Sequence, residues 1–154
     1  MATPKQRIIV GWREWLALPG LGLAALKAKV DTGAKTCALH AFYIERFRHR
    51  QRDRVRFGIH PLQADTRVVR HCEAALVDQR AVTDSGGHRE LRYVIETTLV
   101  LGGISFPAEL TLTDRETMRF RMLLGRNALA GRFIVDPGRS YCLGRNTPRK
   151  ENPR

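Results

Sequence analysis

The sequence predicts an all-β fold, a small closed barrel with one short C-terminal helix. Three observations carry that expectation. Ile104, Phe106, Ala108, Leu110 and Leu112 alternate with Ser105, Pro107, Glu109, Thr111 and Thr113, which is strand period. Two apolar-rich runs, Val68–Val82 and Leu91–Leu101, flank the polar, Gly-containing stretch from Thr83 to Glu90, the pattern of a long hairpin with a mobile tip. Pro and Gly punctuate the rest at short intervals, at Pro19-Gly20, Gly22, Gly102-Gly103 and Pro137-Gly138.

Taken in order, Arg7–Trp12 reads as the first strand, and Leu23–Val30, after the Pro-Gly turn, as the second. Cys37–Tyr43 is a third. From Arg46 to Arg56 an arginine occupies every second position. On one strand this would place a row of guanidinium groups on one face, either a solvated outer face or a polyanion contact. Pro107 marks its strand as an edge or a bulge. Asp114–Met118 reads as a polar turn, Phe120–Leu124 as a strand and Asn127–Arg132 as one or two helical turns. Phe133–Val135 and Tyr141–Leu143 read as closing strands. Residues 1–144 form one domain, and 145–154 a disordered basic tail.

The chain has 154 residues, 43% of them hydrophobic, enough to bury a core. Its net charge is +12, which favours anionic partners: nucleic acid, acidic lipid or an acidic polypeptide. Cys37, Cys72 and Cys142 are widely spaced and odd in number, so neither a disulfide framework nor a thiolate metal site is implied. No stretch approaches the roughly 20 apolar residues of a spanning helix. The N-terminus lacks a leader pattern. A soluble, cytoplasmic chain is the expectation.

Residues 31–34 read Asp-Thr-Gly-Ala at the end of the Leu23–Val30 strand, and residues 122–127 read Met-Leu-Leu-Gly-Arg-Asn. A carboxylate on a tight turn after a buried strand is one half of an aspartic peptidase centre. Hydrolysis needs two carboxylates around one water, sharing a proton because like charges a few Å apart resist ionising together. One is then the general base and the other the general acid. Thr32 fixes the loop, and Gly33 lets backbone approach the substrate. Asp-Thr-Gly occurs once. Asp84-Ser85-Gly86 is a superficial second copy in a hairpin tip. The second carboxylate is therefore expected from Asp31 of another copy, in a two-fold homodimer.

Lys27–Ala41, Val55–Phe57, Arg92–Thr97, Leu110–Arg115 and Met122–Leu129 together resemble the bacterial retropepsin-like proteins that carry the name ATP-dependent zinc protease. The resemblance covers residues 6–144. It implies a retropepsin-like barrel working as a homodimer with Asp31 catalytic. It also implies a functional link to ATP-grasp ligases that add glutamate tails to a ribosomal protein, and hence to trimming of glutamate-rich peptides. Cys37 stands where that family commonly has Ser. The zinc and ATP of the name find no support in the residues: there is no His-Glu-x-x-His and no Gly-x-x-x-x-Gly-Lys-Ser/Thr. No metal and no cofactor are expected.

Viral retropepsins usually carry Asp where this chain has Lys35, and pair it with the Arg of the Gly-Arg motif, here Arg126. Two cations there suit an acidic substrate, unless Lys35 turns to solvent and Arg126 finds Asp114, Glu116 or a carbonyl. Ala34, Lys35, Arg89, Arg92 and Arg126 are the expected substrate contacts, with Gly86 and Gly87 the pivot of a flap. The competing reading is a catalytically silent basic module that binds RNA, the ribosome or an acidic protein.

Overall fold

Eleven strands, a single 3-10 turn and one short helix account for residues 6–63, 65–84, 86–114 and 119–144, the parts of the chain that the computed structural model describes. Strand period governs nearly every element. β3 (Leu23–Val30) buries Leu23, Leu26, Ala28 and Val30 and turns Ala24 and Lys29 outward. β9 (Ile104–Thr113) and β11 (Phe133–Val135) run as the sequence predicts. With β2 (Arg13–Leu18), β4 (Cys37–His40), β5 (Tyr43–His49), β6 (Arg52–Ile59), β7 (Arg70–Thr83), β8 (Arg89–Leu101) and β10 (Met122–Leu124), a larger sheet orders its strands β2-β3-β10-β4-β9-β8-β7-β6-β5, and β2 also meets β8 where Ala17 faces Val100. A separate pair joins β1 (Ile8–Val10) to β11 in parallel. The β class of the expectation holds. Leu16, Leu26, Leu39, Phe57, Ile95, Leu99, Leu110 and Met122 are fully buried in one continuous core. Each such side chain contributes about 1.5–3 kcal/mol by leaving water.

Pro107 is placed as its chemistry requires. β4 (Cys37–His40) pairs only with residues 110–113 of β9, so the strand is an edge on that side at Pro107, where a missing N–H costs nothing.

The arginine run is not one strand. β5 (Tyr43–His49) and β6 (Arg52–Ile59) are joined by a two-residue turn, Arg50 and Gln51, with φ of 51° and 64°. Facing residues of an antiparallel pair share a sheet face. Arg46 faces Val55 and Arg48 faces Asp53, whereas Phe47 faces Arg54 and His49 faces Arg52. Arg46 and Arg48 therefore lie on the face opposite to Arg52, Arg54 and Arg56. Acids also reduce the row: Arg46 pairs with Asp53 at 3.0 Å and Arg56 with Glu73 at 3.1 Å.

Arg13–Leu18 is a strand that the sequence reading does not assign. Tyr141–Leu143 is not a strand but a turn held against β2, where the Tyr141 N–H donates to Arg13 O at 2.9 Å. Residues 115–118 of the expected polar turn, and the tail from residue 145, lie outside the described residues.

Candidate active site

β3 ends at Val30 because Asp31 leaves the sheet, and three residues outside it, Leu124, Arg126 and Asn127, hold the loop that follows. The Asp31 N–H donates to Leu124 O at 2.9 Å, at the end of β10 (Met122–Leu124), which runs parallel to β3. Within the loop, the Gly33 N–H donates to Asp31 Oδ1 at 3.0 Å and the Ala34 N–H to Asp31 O at 3.2 Å. From the helix α1 (Arg126–Leu129), the Arg126 and Asn127 N–H groups donate to Ala34 O and Lys35 O at 2.8 and 3.0 Å. Arg126 Nη1 donates to Thr32 O at 2.9 Å. The two motifs that stand some ninety residues apart in sequence are thus one structure, two loops locked backbone to backbone.

Gly125 is the point of closest approach. A Cβ there would stand 2.4 Å from Thr36 O. Gly125→Ala should push the loops apart, cost about 1–3 kcal/mol as overpacking does, and displace Asp31. A thermal melt checks the first effect; an unchanged midpoint would show that the loop adapts. Behind this contact the buried Cys37 thiol accepts the Gly125 N–H at 3.4 Å. Burial pushes that thiol's pKa up, so it stays protonated and serves as packing.

Asp31 lies at the lip of a cleft of about 1050 Å³. Of the expected contacts, Ala34, Lys35, Arg92 and Arg126 line it together with Gly33. Lys35 is exposed, and Arg126 is satisfied by a carbonyl rather than by an acid. Arg92 is 7% exposed; its Nε donates to Glu90 at 3.1 Å and its Nη1 reaches Thr111 Oγ1 at 3.4 Å. Gly86, Gly87 and Arg89 do not line the cleft in the single chain. Gly86 and Gly87 belong to the tip that joins β7 (Arg70–Thr83) to β8, and Arg89 is the first residue of β8. Asp84 does line the cleft, but its Oδ1 accepts the N–H groups of Gly86 and His88, both at 2.9 Å, and so shapes the tip. Ser85 lies outside the described residues. Thr32 is exposed, and among the described residues its hydroxyl makes no hydrogen bond; it acts within the chain through its carbonyl.

Sequence reasoning missed Arg80 and Glu109. They face each other in the cleft at 2.8 Å, and Arg80 also holds Asp78 at 2.6 Å. Their proximity depends on the register of β7, β8 and β9, including a bulge between Leu76 and Asp78. The available hint was an acidic residue, Glu109, in an otherwise uncharged amphipathic strand.

The zinc of the family name can be tested against donors. Among the described residues no three His, Cys, Asp or Glu side chains converge to hold a metal. The described residues do not fit one, and no step below passes through a metal. No helix among the described residues is long and apolar enough to cross a membrane.

The family profile described as "Retropepsin-like aspartic endopeptidase RimB" matches residues 9–146. A protein of Parasynechococcus marenigrum named probable alpha-L-glutamate ligase is 52% identical over 139 residues, 90% of this chain and 30% of its own. One of the same name from Shewanella pealeana is 44% identical over 138 residues, again 90% of this chain and 30% of its own. The chain therefore spans under a third of the curated relatives it matches. A crystal structure of a Legionella pneumophila protein of unknown function superposes with a TM-score of 0.76 at 26% identity, over 90% of this chain and 99% of that one. The chain belongs to the RimB-like family of retropepsin-like aspartic endopeptidases.

Proposed function

We propose that the chain is one subunit of a homodimeric aspartic peptidase that cleaves acidic, glutamate-rich peptides or protein tails. The observation that carries this reading is the Asp31 loop in a cleft whose walls also hold Lys35, Arg92 and Arg126, where the other two acids are committed, Asp84 to the hairpin tip and Glu109 to Arg80. Two copies related by a two-fold axis bring two Asp31 loops together. The exposed Thr32 suits such an axis, because its hydroxyl makes no hydrogen bond among the described residues. Of the two carboxyls, the ionised one takes a proton from the bound water as that water attacks the peptide carbon. The protonated one gives its proton to the carbonyl oxygen. Collapse of the tetrahedral intermediate then breaks the C–N bond, with a carboxyl delivering the proton to the departing nitrogen. The β7–β8 hairpin is the flap that closes over the substrate and excludes water.

Relatives named probable alpha-L-glutamate ligase support a link to a glutamate ligase; we further take a ribosomal protein as tail bearer and the cytoplasm as the setting. The test is cleavage of a Glu-rich peptide library by wild type and Asp31→Asn, each with and without EDTA. Loss in the variant together with indifference to EDTA supports the reading. Activity lost to EDTA and restored by zinc sinks it.

The acidic preference has its own prediction. Lys35→Glu should weaken cleavage of Glu-rich peptides roughly tenfold or more, the worth of one charge-assisted contact, and spare neutral peptides. Equal loss on both would show that Lys35 serves the loop and not the substrate.

A further inference from the structure

The parity break at Arg50–Gln51 places Arg52 and Arg54 on a particular face of the sheet. Arg54 faces Ala75 across the β6–β7 pair, so Arg52 stands level with Val77. On β7 the core face holds Cys72 and Ala74, both buried, and the outer face holds Glu73, Ala75 and Val77. The bulge between Leu76 and Asp78 then shifts the register by one residue. Beyond it Asp78 is opposite Val94, which faces Thr111, and Arg80 is opposite Arg92. Arg80, Arg92, Glu109 and Thr113 are cleft walls. The outer face of the hairpin and the wall of the cleft are therefore one continuous face of one sheet.

Along that face, Arg52 lies about three residues of β7 from Arg80, roughly 10 Å, and Arg54 roughly 7 Å further. Among the described residues neither has an ion-pair partner, and Arg52 is exposed. Among the described residues, one acid on this face, the exposed Glu96 opposite Glu109, has no ion pair, whereas Glu73, Glu45, Asp78 and Glu109 are engaged. Glu73 and Glu45 flank Arg56, and Asp78 and Glu109 flank Arg80. Unpaired cations at i and i+2 match the spacing of an extended chain, whose own residues rise about 3.3 Å each.

We propose that Arg52 and Arg54 form an exosite that holds the distal part of an acidic polypeptide whose proximal part lies in the cleft. The proposal rests on the peptidase reading of that cleft and adds a length requirement to it. A chain of about twelve residues in extended form spans both sites, whereas one of about four fills the cleft alone. Engaging both sites at once multiplies affinities through effective concentration.

The test uses the full chain carrying Asp31→Asn, so that binding is read without cleavage, with fluorescent glutamate peptides of twelve and four residues. Arg52→Ser/Arg54→Ser should weaken the long peptide about tenfold and leave the short one unchanged. Arg52→Lys/Arg54→Lys should keep most of the affinity, because charge rather than shape is used. Equal affinity of all three proteins for the long peptide overturns the exosite. So does arginine-dependent binding of a single-stranded RNA without any effect on the peptide, which would assign the face to nucleic acid. Failure of the peptidase reading is separate. It appears as an uncut long peptide with the catalytic Asp31 present, whatever the arginines do to binding.

Discussion

Asp31→Asn should abolish hydrolysis while leaving the fold intact. The Oδ1 atom that accepts the Gly33 N–H has an isosteric counterpart in the amide, so the loop keeps its shape and the effect is chemical. A positioned general acid or base contributes about 10²–10⁴-fold, and here one substitution removes both roles, because each copy supplies one carboxyl of the proposed pair. The loss should therefore sit at or beyond the upper end of that range, in kcat rather than in KM. The two-fold arrangement predicts more. When wild-type and Asp31→Asn chains are mixed and allowed to exchange, activity should follow the square of the wild-type fraction, about a quarter at equal mixing. A linear dependence, about a half, would mean that each subunit works alone and that the second carboxylate lies within the chain. Asp84 would then be the first residue to question, since it lines the same cleft.

What was legible in the sequence is what local chemistry decides. β9 alternates apolar and polar residues along its length, and β3 is a short, mostly apolar run between a Pro-Gly turn and a Gly-containing loop, so their limits and the position of Asp31 could be read directly. The link between the two loop motifs was legible only through the resemblance; the structure supplies its physical reason, since Gly125 leaves room for the Thr36 backbone. The arginine hairpin was not. Its turn is Arg50–Gln51, two residues at positive φ without the Asn-Gly or Asp-Gly that usually announces such a turn. Period two continues through it in the sequence and fails in space. The Arg80–Glu109 pair was hidden for a related reason: a bulge sets which side of β7 the arginine takes, and nothing in the residues from Leu76 to Asp78 marks it. The role of Glu14 was hidden because it is settled by residues at the far end of the chain.

Glu14 gives the largest expected effect on stability. It is fully buried in β2, and its carboxylate accepts three backbone N–H groups: Gly11 at 2.7 Å, Cys142 at 2.9 Å and Leu143 at 3.2 Å. These bonds tie the C-terminal turn to the start of the domain. Around them the Trp12 N–H donates to Arg139 O at 2.8 Å, and Leu143 packs against the core. Glu14→Ala leaves three donors without an acceptor, two of them on a segment that loses its anchor. Each unsatisfied buried group costs about 1–3 kcal/mol, and water entering the loosened turn recovers part, so about 3–5 kcal/mol is expected. For a domain of this size that lowers the melting point by roughly 10 °C or more. Glu14→Gln keeps the shape and one acceptor oxygen but turns an NH₂ toward N–H donors, and should fall between. Denaturant unfolding of the three proteins checks the order; a Glu14→Ala loss below about 1 kcal/mol would mean that solvent satisfies the three donors and the tie is dispensable. The effect should also reach the chemistry. Trp12 O accepts the Val30 N–H at 2.8 Å, one residue before Asp31. Slack at Glu14 is thus passed through β2 to the end of β3, and Glu14→Gln should lose activity at temperatures where its fold still holds.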